Sequence, residues 1–157
     1  MSVLVAGIGN VFFGDDAFGV EVACKLQSTK LPNDIRVMDV GIRGVHLAFE
    51  LLEPLDLLVL VDCAARGGEP GTLYLIDPEV DDWPGEGAPA DAHVMDPRAV
   101  LAAVKEMGGT VPLTRIVGCE PADVTEGMFL TEPVRQAIQP AIEMIQRLVS
   151  KEHGGDA

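Results

Sequence analysis

The chain reads as a three-layer α/β sandwich around a mostly parallel, twisted sheet, and three observations predict it. Short apolar runs alternate with helical patterns, the order that builds βαβ units. The run at residues 57–61, Leu-Leu-Val-Leu-Val, is the most apolar in the chain and suits a central strand buried on both faces. The opening run Val3-Leu4-Val5-Ala6-Gly7-Ile8-Gly9-Asn10 stops on glycines, and Gly14-Asp15-Asp16 follows it. That is the strand–turn–helix start around which an open parallel sheet gathers its ligands.

The elements follow in order. Strand one covers residues 3–8. A helix over 16–27 buries Val20, Ala23, Cys24 and Leu26 at helical spacing. Leu31-Pro32-Asn33-Asp34 breaks it, residues 35–40 form the second strand, Gly41 and Gly44 turn the chain, and a short helix over 45–52 closes before Pro54. The central strand ends at Asp62. Residues 72–76 alternate as a further strand, and residues 77–91, with Pro78, Pro84, Pro89 and Trp83 as the one large apolar anchor, read as a mobile loop. Asp96-Pro97 opens a helix to about Met107, Asp capping it and Pro fitting its first turn. Residues 113–117 are the last strand. Glu132-Pro133 opens a long terminal helix with Ala137, Ile138, Ala141, Ile142, Ile145 and Leu148 inward and Pro140 as a kink or a lost hydrogen bond.

With 157 residues, 48% hydrophobic and 23% charged, the chain fits one globular domain over residues 1–157. Eleven Lys and Arg stand against 25 Asp and Glu, a net charge of −14 that repels nucleic acid and anionic membranes and favours a basic partner or a bound cation. No basic leader precedes the first strand and no run approaches a membrane span. Cys24, Cys63 and Cys119 are odd in number and form no CxxC pair, which suits reduced thiols in the cytoplasm. Cys24 and Cys119 read as buried small apolar side chains.

Acids stand at the strand ends. Asp16 lies just past strand one, Asp39 closes strand two, Asp62 ends the central strand, and His93 lies where a short turn brings its imidazole to the same edge. Two carboxylates and an imidazole form an open ligand set for a borderline divalent metal such as nickel or zinc. Each residue has a plainer reading: Asp15 or Asp16 caps a helix, His93 is a surface residue, and Glu120-Pro121 is a turn. A charge at Asp62 must be solvated, paired or ligated. Gly7-Ile8-Gly9 also begins a dinucleotide fingerprint, but Phe12 stands in place of its third glycine and Asp15 and Asp16 would face the pyrophosphate.

The residues Gly7-Ile8-Gly9-Asn10 with Asp15-Asp16-Ala17-Phe18-Gly19-Val20, then Asp39-Val40-Gly41 with Gly44, the apolar strand into Asp62, the His93 loop and Gly118-Cys119-Glu120-Pro121 before a long helix resemble the nickel-iron hydrogenase maturation endopeptidases over nearly the whole chain. The resemblance implies a phosphorylase/hydrolase-like α/β fold and a protease that removes the C-terminal extension of a hydrogenase large-subunit precursor after nickel insertion. It implies that Asp16, Asp62 and His93 contact the metal, Asp16 standing where many relatives carry glutamate. It also implies that Asp39 orients the scissile peptide or acts as a base. Val40 and Ile42 depart from the small residues usual in that turn. The expected partner is the precursor, with its nickel supplied by the substrate and other divalent metals substituting in vitro. Aspartic-type chemistry on Asp16, Asp39 and Asp62 and metal-assisted chemistry both remain open. The alternatives are a non-catalytic nickel-binding assembly module and a nucleotide-binding domain.

Overall fold

The computed structural model describes residues 2–78 and 97–154. Five strands form one sheet in the order β2-β1-β3-β5-β4, made of β1 (Val3–Ile8), β2 (Ile35–Gly41), β3 (Leu57–Cys63), β4 (Leu73–Ile76) and β5 (Leu113–Cys119). β1 pairs in parallel with β2 and β3, and β3 with β5. β4 is the antiparallel edge. The most apolar run thus occupies the centre of the sheet, and all seven residues of β3 are buried.

Because side chains alternate across a strand, the two faces carry separate cores. Val3, Val5, Leu57, Val59 and Val61 meet α1 (Phe18–Gln27) and α4 (Glu132–Gly154) on one face. Leu4, Ala6, Ile8, Leu58 and Leu60 meet α2 (Gly44–Glu50) and α3 (Pro97–Glu106) on the other. This is the expected sandwich of helices, sheet and helices. α4 runs through Pro140 as one helix, and all six of its residues expected inside are buried.

Strand order decides where a site can form. From β1 the chain moves outward to β2 and then returns to β3 on the other side of β1, so the connections part between the carboxyl ends of β1 and β3. A crevice opens at such a reversal. α1 seals its floor at close range: a Cβ on Gly19 would collide with the carbonyl oxygens of Val61 and Ile8, and one on Gly7 with that of Gly19.

Several expectations shift. The helix after β1 does not begin at Asp16. Gly14–Ala17 forms a tight 3₁₀ turn and α1 starts at Phe18, because Asp15 and Asp16 spend their carboxylates on backbone beyond the helix, and no side chain caps either segment. Cys24 is exposed, not buried. The small residues Gly19 and Ala23 lie against Gly7, which turns the buried side of α1 toward Phe18, Gly19, Val22, Ala23 and Leu26 and leaves Cys24 outward. β5 extends to Cys119, two residues beyond the expected end. The proline-rich loop with Trp83, the Asp96 cap and His93 lie outside the described residues.

Candidate active site

Asp16 and Asp62 meet in the crevice between β1 and β3. Asp16 is carried by the 3₁₀ turn and is fully buried, while Asp62 on β3 is 2% exposed. The Asn10 N–H donates to Asp16 Oδ2 at 2.9 Å, and the Cys63 N–H donates to Asp62 Oδ1 at 2.7 Å. Burial raises the Asp62 carboxyl well above its ordinary range, the Asp16 charge raises it further, and the Cys63 N–H opposes both. Two carboxylates close together away from water resist ionising together. Either a proton on Asp62 or a divalent cation between them relieves the repulsion.

Asp39 belongs to the same end of the sheet but to its other face. Gly7 pairs with Asp39 and Ile8 with Gly41, leaving Val40 as the extra residue of a bulge. Alternation then puts Asp39 beside Val37 on the α1 side, where its charge raises the exposed Cys24 thiol after burial has done so. Asp62 points with Leu58 and Leu60 toward α2 and α3. Half-buried Asp39 keeps contact with the crevice rim, since its Oδ1 lies 3.8 Å from where a Gly41 Cβ would stand, as does the Gly9 carbonyl oxygen. The structure therefore joins Asp16 with Asp62 and sets Asp39 apart from them. Among the described residues no group of three or more His, Cys, Asp and Glu gathers as a metal cage.

Asp15, next to Asp16, does other work. Its Oδ2 accepts from the N–H groups of Ala122 and Asp123 at 2.8 and 3.0 Å, and from the Thr131 hydroxyl at 2.8 Å. Its Oδ1 accepts from the Thr131 N–H. A buried carboxylate is thus satisfied by fixing residues 122–131 against the start of the site. Glu120 is similarly consumed: its Oε1 accepts from Arg66 N, Gly68 N and the Tyr74 hydroxyl, fastening the segment after β3. Neither role is visible in sequence, because both depend on partners 46 to 116 residues away. Asn10 is a further positioning residue, and its place after Gly7-Ile8-Gly9 was the available signal.

The turn after β1 cannot cradle a phosphate. The N–H groups of Gly9, Phe13, Gly14, Asp15 and Asp16 bond to backbone carbonyls. Those of Asn10 and Phe12 bond to the side chains of Asp16 and Asn10. A phosphate-binding turn needs free N–H groups, so the nucleotide reading falls. Cys63, adjacent to Asp62, is no ready nucleophile: burial first and the Asp62 charge second push its thiol far up, and Cys119, its register partner, is pushed up to about 12.

Comparison with known proteins joins this geometry to a family. A family model described as hydrogenase maturation protease, HycI, matches residues 20–148. The hydrogenase expression/formation protein HupD of Bradyrhizobium diazoefficiens is 31% identical over 152 residues, covering 95% of this chain and 78% of its own. The hydrogenase maturating endopeptidase HybD of E. coli superposes with a TM-score of 0.80 at 28% identity, covering 99% of this chain and 94% of its own. A [NiFe] hydrogenase maturation protease HycI from Thermococcus kodakarensis gives 0.72 at 25% identity, over 95% and 92%. The match spans both cores and the crevice between β1 and β3, and the chain belongs to the hydrogenase maturation protease family.

Proposed function

We propose that this chain, as one domain over residues 1–157, is the cytoplasmic endopeptidase that removes the C-terminal extension of a nickel-loaded [NiFe]-hydrogenase large-subunit precursor. The observation that carries this reading is the buried Asp16–Asp62 pair at the point where β1 and β3 part, in a member of this family. The donor set fits a cation: two carboxylates that repel each other are both stabilised by a divalent ion. In this reading the ion is the nickel already seated in the precursor, met by Asp16, Asp62 and His93. Nickel recognition and substrate positioning are then one event, which aligns the scissile peptide before chemistry begins.

Asp39 stands at the rim, away from the pair, and we assign it the cleavage centre. Hydrolysis adds water across the peptide C–N bond: a base takes a proton from water, the oxygen adds to the carbonyl carbon, and the departing nitrogen gains a proton as the bond breaks. A half-buried carboxylate serves as that base. The three free cysteines fit a reducing compartment, and among the described residues no helix is long and apolar enough to cross a membrane.

The test mixes the purified protein with nickel-loaded and with nickel-free precursor and weighs the products by mass spectrometry. The expected result is a shortened large subunit and a released C-terminal peptide from the nickel-loaded form alone. Asp39→Asn should bind the loaded precursor as the parent does but cleave it about a hundredfold more slowly in a single turnover, since the amide keeps the size and cannot take a proton. Nickel-dependent binding by the parent without cleavage would favour the assembly-module reading. Equal cleavage of both precursors would remove nickel from recognition.

A further inference from the structure

Beside the crevice the protein exposes a short apolar rim. Phe12 is 58% exposed and Met128 73%. They sit on two turns far apart in sequence that the backbone ties together: the Gly127 N–H donates to the Phe12 carbonyl at 2.7 Å, the Gly14 N–H donates to the Gly127 carbonyl at 2.8 Å, and Phe13 bridges Gly127. The Phe129 ring fills the angle between them. Its edge lies 2.6 Å from where a Gly14 Cβ would stand and 3.0 Å from one at Gly127, and the Asp123 carbonyl oxygen, 2.5 Å from the first, together with the positive φ of both, 54° and 145°, favours glycine at these positions. Asp15 fastens the far ends of the same loop through Ala122, Asp123 and Thr131. The rim is therefore anchored to the element that carries Asp16. Phe12 is tied to it more directly, because its N–H donates to Asn10 Oδ1 and the Asn10 N–H donates to Asp16.

Exposing a phenylalanine and a methionine on braced turns costs solubility and gains nothing for the core. Aromatic and methionine side chains so displayed are the residues that anchor interfaces. The charge around them is mostly acidic, the exception being Arg135, whose guanidinium donates to the Leu130 carbonyl and lies beside Glu132. None of the chain's eleven Lys and Arg falls in residues 1–24 or 116–134, and Asp123, Glu126 and Glu132 lie on the rim loop or just after it, while Asp15, Asp16 and Glu120 are buried. An occupant of this rim must then bring apolar side chains and positive charge.

We propose that Phe12 and Met128 form the docking rim for the polypeptide substrate and take an apolar segment of it that is flanked by lysine or arginine. The assignment rests on the proposed protease function and names which part of the enzyme grips the chain to be cut. Because the rim is braced against the Asp16 turn, gripping the segment there fixes the approach of the rest of the substrate to the crevice. Neither side chain touches the reacting bond, so their contribution belongs to binding and not to the chemical step.

The experiment titrates nickel-loaded precursor against the parent protein and against Phe12→Ser, Met128→Ser, Met128→Lys and Phe49→Ser. It reads equilibrium binding by fluorescence anisotropy and cleavage by single-turnover mass analysis. Phe49 is an exposed apolar residue on α2 and controls for general loss of apolar surface. Phe12→Ser and Met128→Ser should each weaken binding about tenfold, as truncation of an interface anchor does. The half-saturating concentration for cleavage should rise equally while the saturated cleavage rate stays unchanged. Met128→Lys should weaken binding more than Met128→Ser, and Phe49→Ser should bind as the parent does. Rim variants that bind and cleave like the parent would overturn the proposal while the protease function stands. Weakened binding by the rim variants, with a parent that binds but does not cleave, would keep the rim and remove the protease reading. Failure of the parent to bind at all would remove both.

Discussion

Asp62 is the one charged residue in β3, next to last in an otherwise apolar strand, and its carboxyl is raised first by burial and then by Asp16. A carboxyl bound to its proton more tightly when folded than when unfolded, where its pKa is about 3.9, makes stability fall as pH rises above the unfolded value. The penalty is complete once pH exceeds the folded value. Asp62→Asn removes it, and the amide oxygen can still accept the Cys63 N–H that now reaches Asp62 Oδ1. The metal-free variant should therefore melt a few degrees above the parent at neutral pH, on the order of 1 kcal/mol, with the gap closing toward pH 4. Equal melting temperatures at pH 7, read by circular dichroism or calorimetry, would show that Asp16 and Asp62 do not strain the fold. Adjacent acids diverge here. Asp15 has four bonds from residues 122–131 and serves the loop, while Asp16 faces its like-charged neighbour. Sequence presented the two as equals, because the loop that claims Asp15 is more than a hundred residues away.

At the scale of elements, α1 carries the turn that positions Asp16, and its distance from the sheet is set by glycine. Gly19 meets the carbonyls of Val61 and Ile8 at a range no Cβ can share, and its own carbonyl covers Gly7. Gly19→Ala must push α1 away from β1 and β3 or bend the strand ends. Overpacking against backbone, which cannot rotate aside, should cost about 3 kcal/mol or more. Urea unfolding should show this as a lower midpoint, and a change below about 1 kcal/mol would mean that the helix yields easily. The same contact explains what was illegible in α1. Helical spacing alone allowed a buried face including Cys24, and only the fit of Gly19 and Ala23 onto Gly7 selects the face that leaves Cys24 in water. Strand alternation likewise governs Asp39: its place at the sheet's carboxyl end was legible, but its separation from Asp62 depends on pairing register, with Gly7 opposite both Asp39 and Val61.

For the whole molecule, the order of apolar runs was enough to define the sandwich, because a strand buried on both faces, such as Leu-Leu-Val-Leu-Val at 57–61, has few other places to go. The antiparallel turn of β4 onto β5 was not legible, since a four-residue alternating run carries no direction. Charge acts at this largest scale too. A net charge of −14, with Asp16, Asp39 and Asp62 at the carboxyl edge of the sheet outnumbering Arg43 and Arg66 beside them, gives the molecule a negative field that extends beyond contact distance. Such a field draws a partner of opposite local charge and speeds encounter, and salt shortens its reach from about 30 Å at 0.01 M to about 3 Å at 1 M. Stopped-flow mixing with the nickel-loaded precursor should therefore give an association rate constant that falls about tenfold over that range, while dissociation, governed by short contacts, changes much less. The sign is the informative part. An association rate that rises with salt would mean that the precursor presents negative charge to this edge and that salt relieves a repulsion, whereas a fall means that the acidic edge itself guides the substrate toward Asp16 and Asp62.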